Sequence, residues 1–357
     1  MAEIGENPGG WGVPSFWRVF IIVIALTVGL AAAMNYVVDP FGIYGNRLLP
    51  PSQLNNYTQK LELFENFEPP PTALILGSSR VMTFDPQVVE ELTGERCFNF
   101  WLPGSASETF YAVMNLVEER RDEPIDLVIV GVGVETVHPA LAIQPEARYV
   151  PEIAKWFVHS RHGQATALDR IGLLFTMDQT VRSAGVLYSE IRGSRSESTT
   201  EAGMPRLNYR DDGFAVQARA EQLLAQGTFD LDAKLTQRLR RRRYTEQGLI
   251  VSGWTGLSEV RMKYWEDFLH ICSEKGIRVY VFMTPAHPRL WALLQEFGAE
   301  GVYDQVSDYF ERTVTEVGGT FRDYTHLESF GGDPENFYDE VHMQKENCDL
   351  LLRELLR

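Results

Sequence analysis

Two short stretches near opposite ends of the 357-residue chain hold the residue types of nucleophilic catalysis. In the first, an apolar run from Ala73 to Leu76 gives way to Gly77-Ser78-Ser79-Arg80, and in the second, Asp339 and His342 stand three residues apart. A serine hydroxyl at its own pKa is a poor nucleophile. It needs an imidazole to take its proton, and the imidazole needs a carboxylate to fix its tautomer and stabilise its charge. Ser79, His342 and Asp339 could fill these roles, and the short spacing lets one loop present both acid and base. Each stretch also has an ordinary reading. Ser78 and Ser79 would make good helix caps, and Asp-x-x-His arises by chance in polar loops. The joint placement, one stretch after the first strand and the other before the last helix, gives the combination its weight.

The elements needed to hold these residues follow from hydrophobic periodicity. Ala73 to Leu76 reads as a buried first strand, followed by a helix over about Asp85 to Leu92, a strand over Cys97 to Phe100, a helix over Ser107 to Arg120 and a strand over Leu127 to Val132. Such alternation predicts an α/β fold with a parallel, doubly wound sheet. Ligands of these folds bind at the carboxyl ends of the strands, where a following helix N-terminus offers free N–H groups. From about Pro139 to Ser252 the rhythm gives way to an insertion of helical segments and polar stretches such as Gly193 to Gly203. It resumes with a helix over Leu257 to Lys275, a strand over Val279 to Met283, helices over Pro288 to Phe297 and Tyr303 to Val317, a strand over Thr320 to Arg322 and a last helix over Lys345 to Leu356.

Bulk properties narrow the function classes. A composition of 44% hydrophobic and 23% charged residues is that of a folding, globular chain. The net charge of −16 argues against nucleic acid as a partner. Cys97, Cys272 and Cys348 form no C-x-x-C pair and read as buried thiols, although one disulfide stays open. There is no G-x-G-x-x-G or Walker A motif, so no nucleotide cofactor is indicated, and no metal site is expected. His159 and His162 have ligand-like spacing without an acidic partner and read as a solvated helix face. The basic run Arg238 to Arg243 reads as a solvated helix or as a contact for anionic polymer or lipid headgroups. His287 in Thr284-Pro-Ala-His-Pro288 follows a strong strand at the same sheet end as Ser79, where it could touch substrate or serve as a structural loop histidine.

Residues 19–38, Val19 to Val38, carry no charge and match the length of a helix crossing a hydrocarbon core of ~30 Å. Trp11, Trp17 and Tyr36 flank or close the run as interfacial aromatics do. A cleaved signal peptide is the competing reading, with Ala31, Ala32 and Ala33 as a small-residue cleavage site, but the apolar run continues past them and the leader is not strongly basic. The expected organisation is a cytoplasmic leader over 1–18, an anchor over 19–38, a tether over 39–71 and an exported catalytic domain over 72–357, with the insertion at about 139–252.

Three blocks together resemble SGNH (GDSL-like) hydrolases: Gly77-Ser78-Ser79-Arg80 after the first strand, Asn99-Phe-Trp-Leu-Pro-Gly104 after the second, and Asp339-x-x-His342 before the last helix. The resemblance spans Thr72 to Arg357 and implies the SGNH, flavodoxin-like three-layer fold. It assigns Ser79 as nucleophile, His342 as general base and Asp339 as orienting acid, with the N–H groups of Ser79 and Gly104 as oxyanion donors. Arg80, Asn99 and His287 complete the expected oxyanion and substrate-binding set. The family usually adds an asparagine after the third strand, but this chain has Gly131-Val-Gly133-Val-Glu135, and an ionised Glu135 would oppose an oxyanion. With GSSR in place of GDSL, the chain is similar to the divergent, membrane-anchored branch that includes lipoteichoic acid D-alanylation and exopolysaccharide O-acetylation proteins. That branch implies an esterase or O-acetyltransferase in a single-pass inner or cytoplasmic membrane protein of a bacterium. It would act on a polysaccharide or another acylated envelope polymer, beside a multispanning membrane acyltransferase. The missing asparagine leaves a non-catalytic scaffold, binding glycan or such an acyltransferase, as the alternative.

Overall fold

The computed structural model describes residues 13–45, 48, 56–160, 163–192, 208–244 and 251–357. Trp11, His162 and the stretch from Gly193 to Gly203 lie outside the described residues. In chain order the elements are α1 (Val13–Val38), α2 (Asn56–Asn66), β1 (Ala73–Gly77), α3 (Pro86–Thr93), β2 (Cys97–Asn99), α4 (Ser107–Arg120), β3 (Leu127–Val132) and α5 (Val134–Val137). The insertion holds α6 (Pro145–Arg148), α7 (Pro151–Ala154), α8 (Ala167–Leu173), α9 (Met177–Arg192), the short pair β4 (Asn208–Tyr209) and β5 (Ala215–Val216), α10 (Ala218–Ala225) and α11 (Leu231–Tyr244). The chain finishes with α12 (Glu259–Glu274), β6 (Arg278–Met283), α13 (Pro288–Glu296), α14 (Glu300–Glu316), β7 (Thr320–Asp323) and α15 (Lys345–Leu355).

Five parallel strands form the main sheet in the order β2-β1-β3-β6-β7. Counting only these strands, the order is second, first, third, fourth, fifth, which is that of a doubly wound sheet whose switch point lies between β1 and β3. Both faces are covered, so β1 and β3 are apolar throughout, apart from Gly77 and Gly131, instead of alternating. Leu74, Leu76, Val128, Val130, Val279 and Val281 point into one core with residues of α4, α12, α13 and α14. Ala73, Ile75, Leu127, Ile129 and Phe282 point into another with residues of α3 and α15. The result is three layers, helices on either side of a parallel sheet, as the alternation of elements predicts.

The chain folds into two compact units, one of Met1–Leu54 with Ala165–Met204 and one of Asn55–Gln164 with Pro205–Arg357. The sheet unit therefore starts before Thr72. The stretch expected to be a tether carries α2, whose Tyr57, Leu61 and Phe64 recur at helical spacing and are buried. Its Lys60 is also buried, with the ammonium donating to the carbonyls of Asn99 and Gly213.

In the other unit α1 is long and apolar enough to cross a membrane, with a mean hydropathy of 2.3 over its most apolar window. Its 26 residues would extend about 39 Å at 1.5 Å per residue. The insertion is thus not one body: α8 and α9 belong with α1.

Candidate active site

Ser79 opens a single 3-10 turn, Ser79–Val81, directly beyond β1. The helix expected over about Asp85 to Leu92 is present as α3, which begins at Pro86 with Asp85 as its cap, so Ser79 precedes it and does not sit at its N-terminus. Ser78 caps the short turn, its Oγ accepting from the Arg80 N–H at 3.4 Å, so the capping role falls to Ser78 and not to Ser79. Gly77 and Gly131 face each other in register, and a Cβ on either would run into the Val81 side chain, at 2.6 Å in the case of Gly77. These glycines let Val81 pack onto the strand ends and hold the turn low over the sheet.

The imidazole comes from the loop before α15, closed by the Tyr338 N–H donating to the His342 carbonyl at 2.7 Å. Ser79 Oγ lies 2.9 Å from His342 Nε2, and His342 Nδ1 lies 2.9 Å from each Asp339 carboxylate oxygen. Asp339 Oδ1 also accepts from the Val341 and His342 N–H groups, both at 3.0 Å, so the three-residue spacing folds the loop around its own carboxylate. Burial alone would raise the Asp339 pKa. The hydrogen bond and charge of His342, the nearby Arg238 and the Val341 N–H outweigh it and hold the carboxyl well below the usual range. Asp339 is therefore an anion at neutral pH, suited to orient the imidazole and stabilise its protonated form.

Ser79 and His342 open on a cavity of about 550 Å³. Among the described residues, neither the Ser79 nor the Gly104 N–H has a protein acceptor. Gly104 has φ of +58°, and a Cβ there would meet Gln144 Cδ at 2.6 Å. The Gln144 carboxamide thus packs over this glycine, on the cavity wall. The charge of Glu135 is compensated: its Oε1 pairs with Arg80 Nε at 3.1 Å, and Arg80 Nη1 also donates to Thr284 Oγ1 at 3.1 Å. Among the described residues, no donor reaches the buried Glu135 Oε2 atom. Beneath it Arg261 donates to both Glu108 oxygens, at 3.1 and 2.9 Å, and to the carbonyls of Glu135 and His138. From the insertion, Arg238 on α11 ion-pairs with Glu340 and lies 3.5 Å from Asp339.

The fold brings together Ser79, Asp339, His342, Gly104 and Arg80. Two expected members fall elsewhere. Asn99 is fully buried, donating to the carbonyls of Val81 and Phe84 at 2.8 and 2.9 Å and accepting from the Trp101 N–H, so it braces the Ser79 turn from below instead of meeting substrate. His287 caps α13, its Nδ1 accepting from the Arg289 N–H at 3.1 Å, and its own N–H donates to the Glu340 carbonyl. Burial, helped by Arg289, lowers its pKa, and it does not line the cavity. His159 is not on a solvated helix: it packs on Tyr264 and bonds Asp267 at 2.8 Å.

Gln144, Arg238, Arg261 and Tyr303 also line the cavity, and none of them was expected there from the sequence. Only Arg238 carried a signal, as the first residue of the basic run. Neither a scan against protein-family models nor a search of curated proteins finds a match to this chain.

Proposed function

We propose that the protein is a serine-dependent acyl-ester hydrolase or O-acyltransferase of the SGNH type. The observation that carries this reading is the unbroken hydrogen-bonded chain from Ser79 through His342 to an ionised Asp339, at the mouth of a cavity. In the proposed reaction Ser79 Oγ attacks the ester carbonyl while its proton passes to His342 Nε2. The carbonyl oxygen becomes an oxyanion, met by the N–H groups of Ser79 and Gly104. Gln144, beside Gly104, is proposed to supply the carboxamide that the family takes from an asparagine. Collapse of the intermediate expels the alcohol, which recovers the proton from His342 and leaves an acyl-Ser79 ester. Water or a second hydroxyl, deprotonated by His342, then accepts the acyl group and frees Ser79.

The cavity's chemistry supports a substrate that is part apolar and part hydroxyl-rich. Leu141, Ile143, Leu290 and Val341 offer an apolar wall for an acyl group, while Glu135 Oε2 has a vacant lone pair for a hydroxyl donor. Together with α1 as an anchor, this favours an acylated polysaccharide of the cell envelope, handled on the exported side of a bacterial membrane beside an acyltransferase. The scaffold reading rests on the missing asparagine. The catalytic reading is supported over it by the Gln144 carboxamide beside Gly104 and by the Arg80 ion pair that compensates Glu135. Turnover of p-nitrophenyl acetate by the full chain in detergent tests the proposal. Burst release of nitrophenol, abolished in Ser79→Ala and His342→Ala, is expected, and equal rates in wild type and Ser79→Ala would sink it.

A further inference from the structure

Helix α9 has two distinct sides, one packed and partly polar, the other exposed and apolar. Gln179, Ser183 and Val186 recur at four- and three-residue steps, are buried, and belong to the helix that packs on α1. Met177, Val181, Ala184, Tyr188 and Ile191 recur at the same steps on the opposite side, and all are exposed, Met177 at 76% and Ile191 at 85%. In α8 and the turn after it, Leu168 and Phe175 are likewise open at 78% and 56%. Of the charges of α9, Asp178 and Arg182 lie in the arc between its two sides and pair with each other, Glu190 follows the packed side, and Arg192 follows the exposed stripe at its end, with its guanidinium on the Tyr188 ring. A helix at a water-facing protein surface has the reverse pattern, with polar residues opposite its packed stripe. A continuous exposed apolar face calls for a partner.

The contacts with α1 say which partner fits. From Val19 to Val38 α1 carries no charge, and its residues 16–30 are all exposed. Near its end Asn35 is buried, its Nδ2 donating to the Leu174 carbonyl at 2.8 Å and to Thr180 Oγ1 at 2.9 Å. A carboxamide facing hydrocarbon unpaired would cost several kcal/mol, roughly 2–7 by the choice of reference state. Leu174, in the turn joining α8 to α9, and Thr180 of α9 satisfy the Asn35 amide donor, which fixes these helices at the depth of the last turns of α1. The Tyr36 and Tyr44 rings, 5.4 Å apart at this end, are the residue type found at headgroup level. Asp169, Arg170, Asp178 and Arg182 prevent α8 and α9 from spanning, whereas a charged arc beside an apolar stripe suits a helix lying in the membrane plane.

We propose that α8 and α9 form an interfacial lipid-binding device, seated in the headgroup–acyl boundary of the bilayer that α1 spans, with Leu168, Phe175 and the stripe from Met177 to Ile191 among the lipid chains. This rests on α1 as a membrane span and not on the catalytic reading. The three native cysteines are buried, so an engineered thiol can be labelled alone. Full-length Val181→Cys and Ile191→Cys, each carrying an environment-sensitive fluorophore, are placed in phosphatidylcholine–phosphatidylglycerol vesicles, with Leu26→Cys and Glu123→Cys as lipid and water references. The expected result is loss of emission at 181 and 191 to shallow spin-labelled lipid and no loss to aqueous iodide, with the label at 123 behaving in the opposite way. Iodide quenching at 181 and 191 equal to that at 123 would overturn the proposal. Shielding from both quenchers would also overturn it, because protein would then cover the stripe. Absence of lipid quenching at 26 would remove the span and the proposal together.

Discussion

Gly104→Ala offers the sharpest probe of how the cavity would stabilise an oxyanion. The residue sits at φ +58°, where an alanine costs about 1–2 kcal/mol, and its Cβ would meet Gln144 Cδ at 2.6 Å, so the carboxamide must swing away. If that carboxamide is one of the oxyanion donors, its loss removes about 3 kcal/mol of transition-state stabilisation, or roughly 100-fold in rate. Gln144→Ala should cost the same factor without the backbone penalty. Because both substitutions remove one interaction, the double variant should be little slower than either single one, whereas independent effects would multiply to about 10⁴-fold. The assay is kcat/KM for p-nitrophenyl acetate, with melting temperatures to separate the stability cost. A Gln144→Ala rate within about twofold of wild type, less than 0.5 kcal/mol, would refute the role given to this side chain.

Asp339→Asn should retain the loop but leave His342 in the wrong tautomer, lowering kcat by about 10⁴-fold. Because the folded Asp339 pKa lies below the unfolded value of about 3.9, the group contributes stability above that pH and loses it as pH falls through the folded value; acid unfolding followed by circular dichroism should show a shallower pH slope in Asp339→Asn. Arg80→Met should leave Glu135 uncompensated beside the oxyanion and cut ester turnover, and adding Glu135→Gln should restore much of it; an unrescued double variant would contradict the charge-balance account. Glu108→Ala should strand the Arg261 guanidinium, whose side chain is only 7% exposed, and lower unfolding free energy in urea by about 3–5 kcal/mol.

What was legible in the sequence was what local pattern determines. The strands β1, β3 and β6 are short apolar runs closed by turn residues, and their alternation with helices dictates a parallel sheet and the end at which ligands bind. Asp339 and His342 could be paired on paper because one loop carries both. Gln144 and Arg261 could not, since they reach the cavity from distant elements through packing that no spacing encodes. Asn99 misled for a related reason: a polar residue at a strand end resembles a site residue, but here three backbone groups hold it inside the turn. The helix α2 was readable from Tyr57, Leu61 and Phe64, but its polar remainder and the nearby prolines made it look like a tether. The association of α8 and α9 with α1 depends on bonds across more than a hundred residues.

The most direct test of the central claim is the intact mass of the full-length protein after reaction with a serine-directed fluorophosphonate. The account predicts one adduct per chain, absent in Ser79→Ala and in His342→Ala, because an unassisted hydroxyl does not react. An adduct that survives both substitutions, or none in a folded wild-type protein, would contradict an activated Ser79.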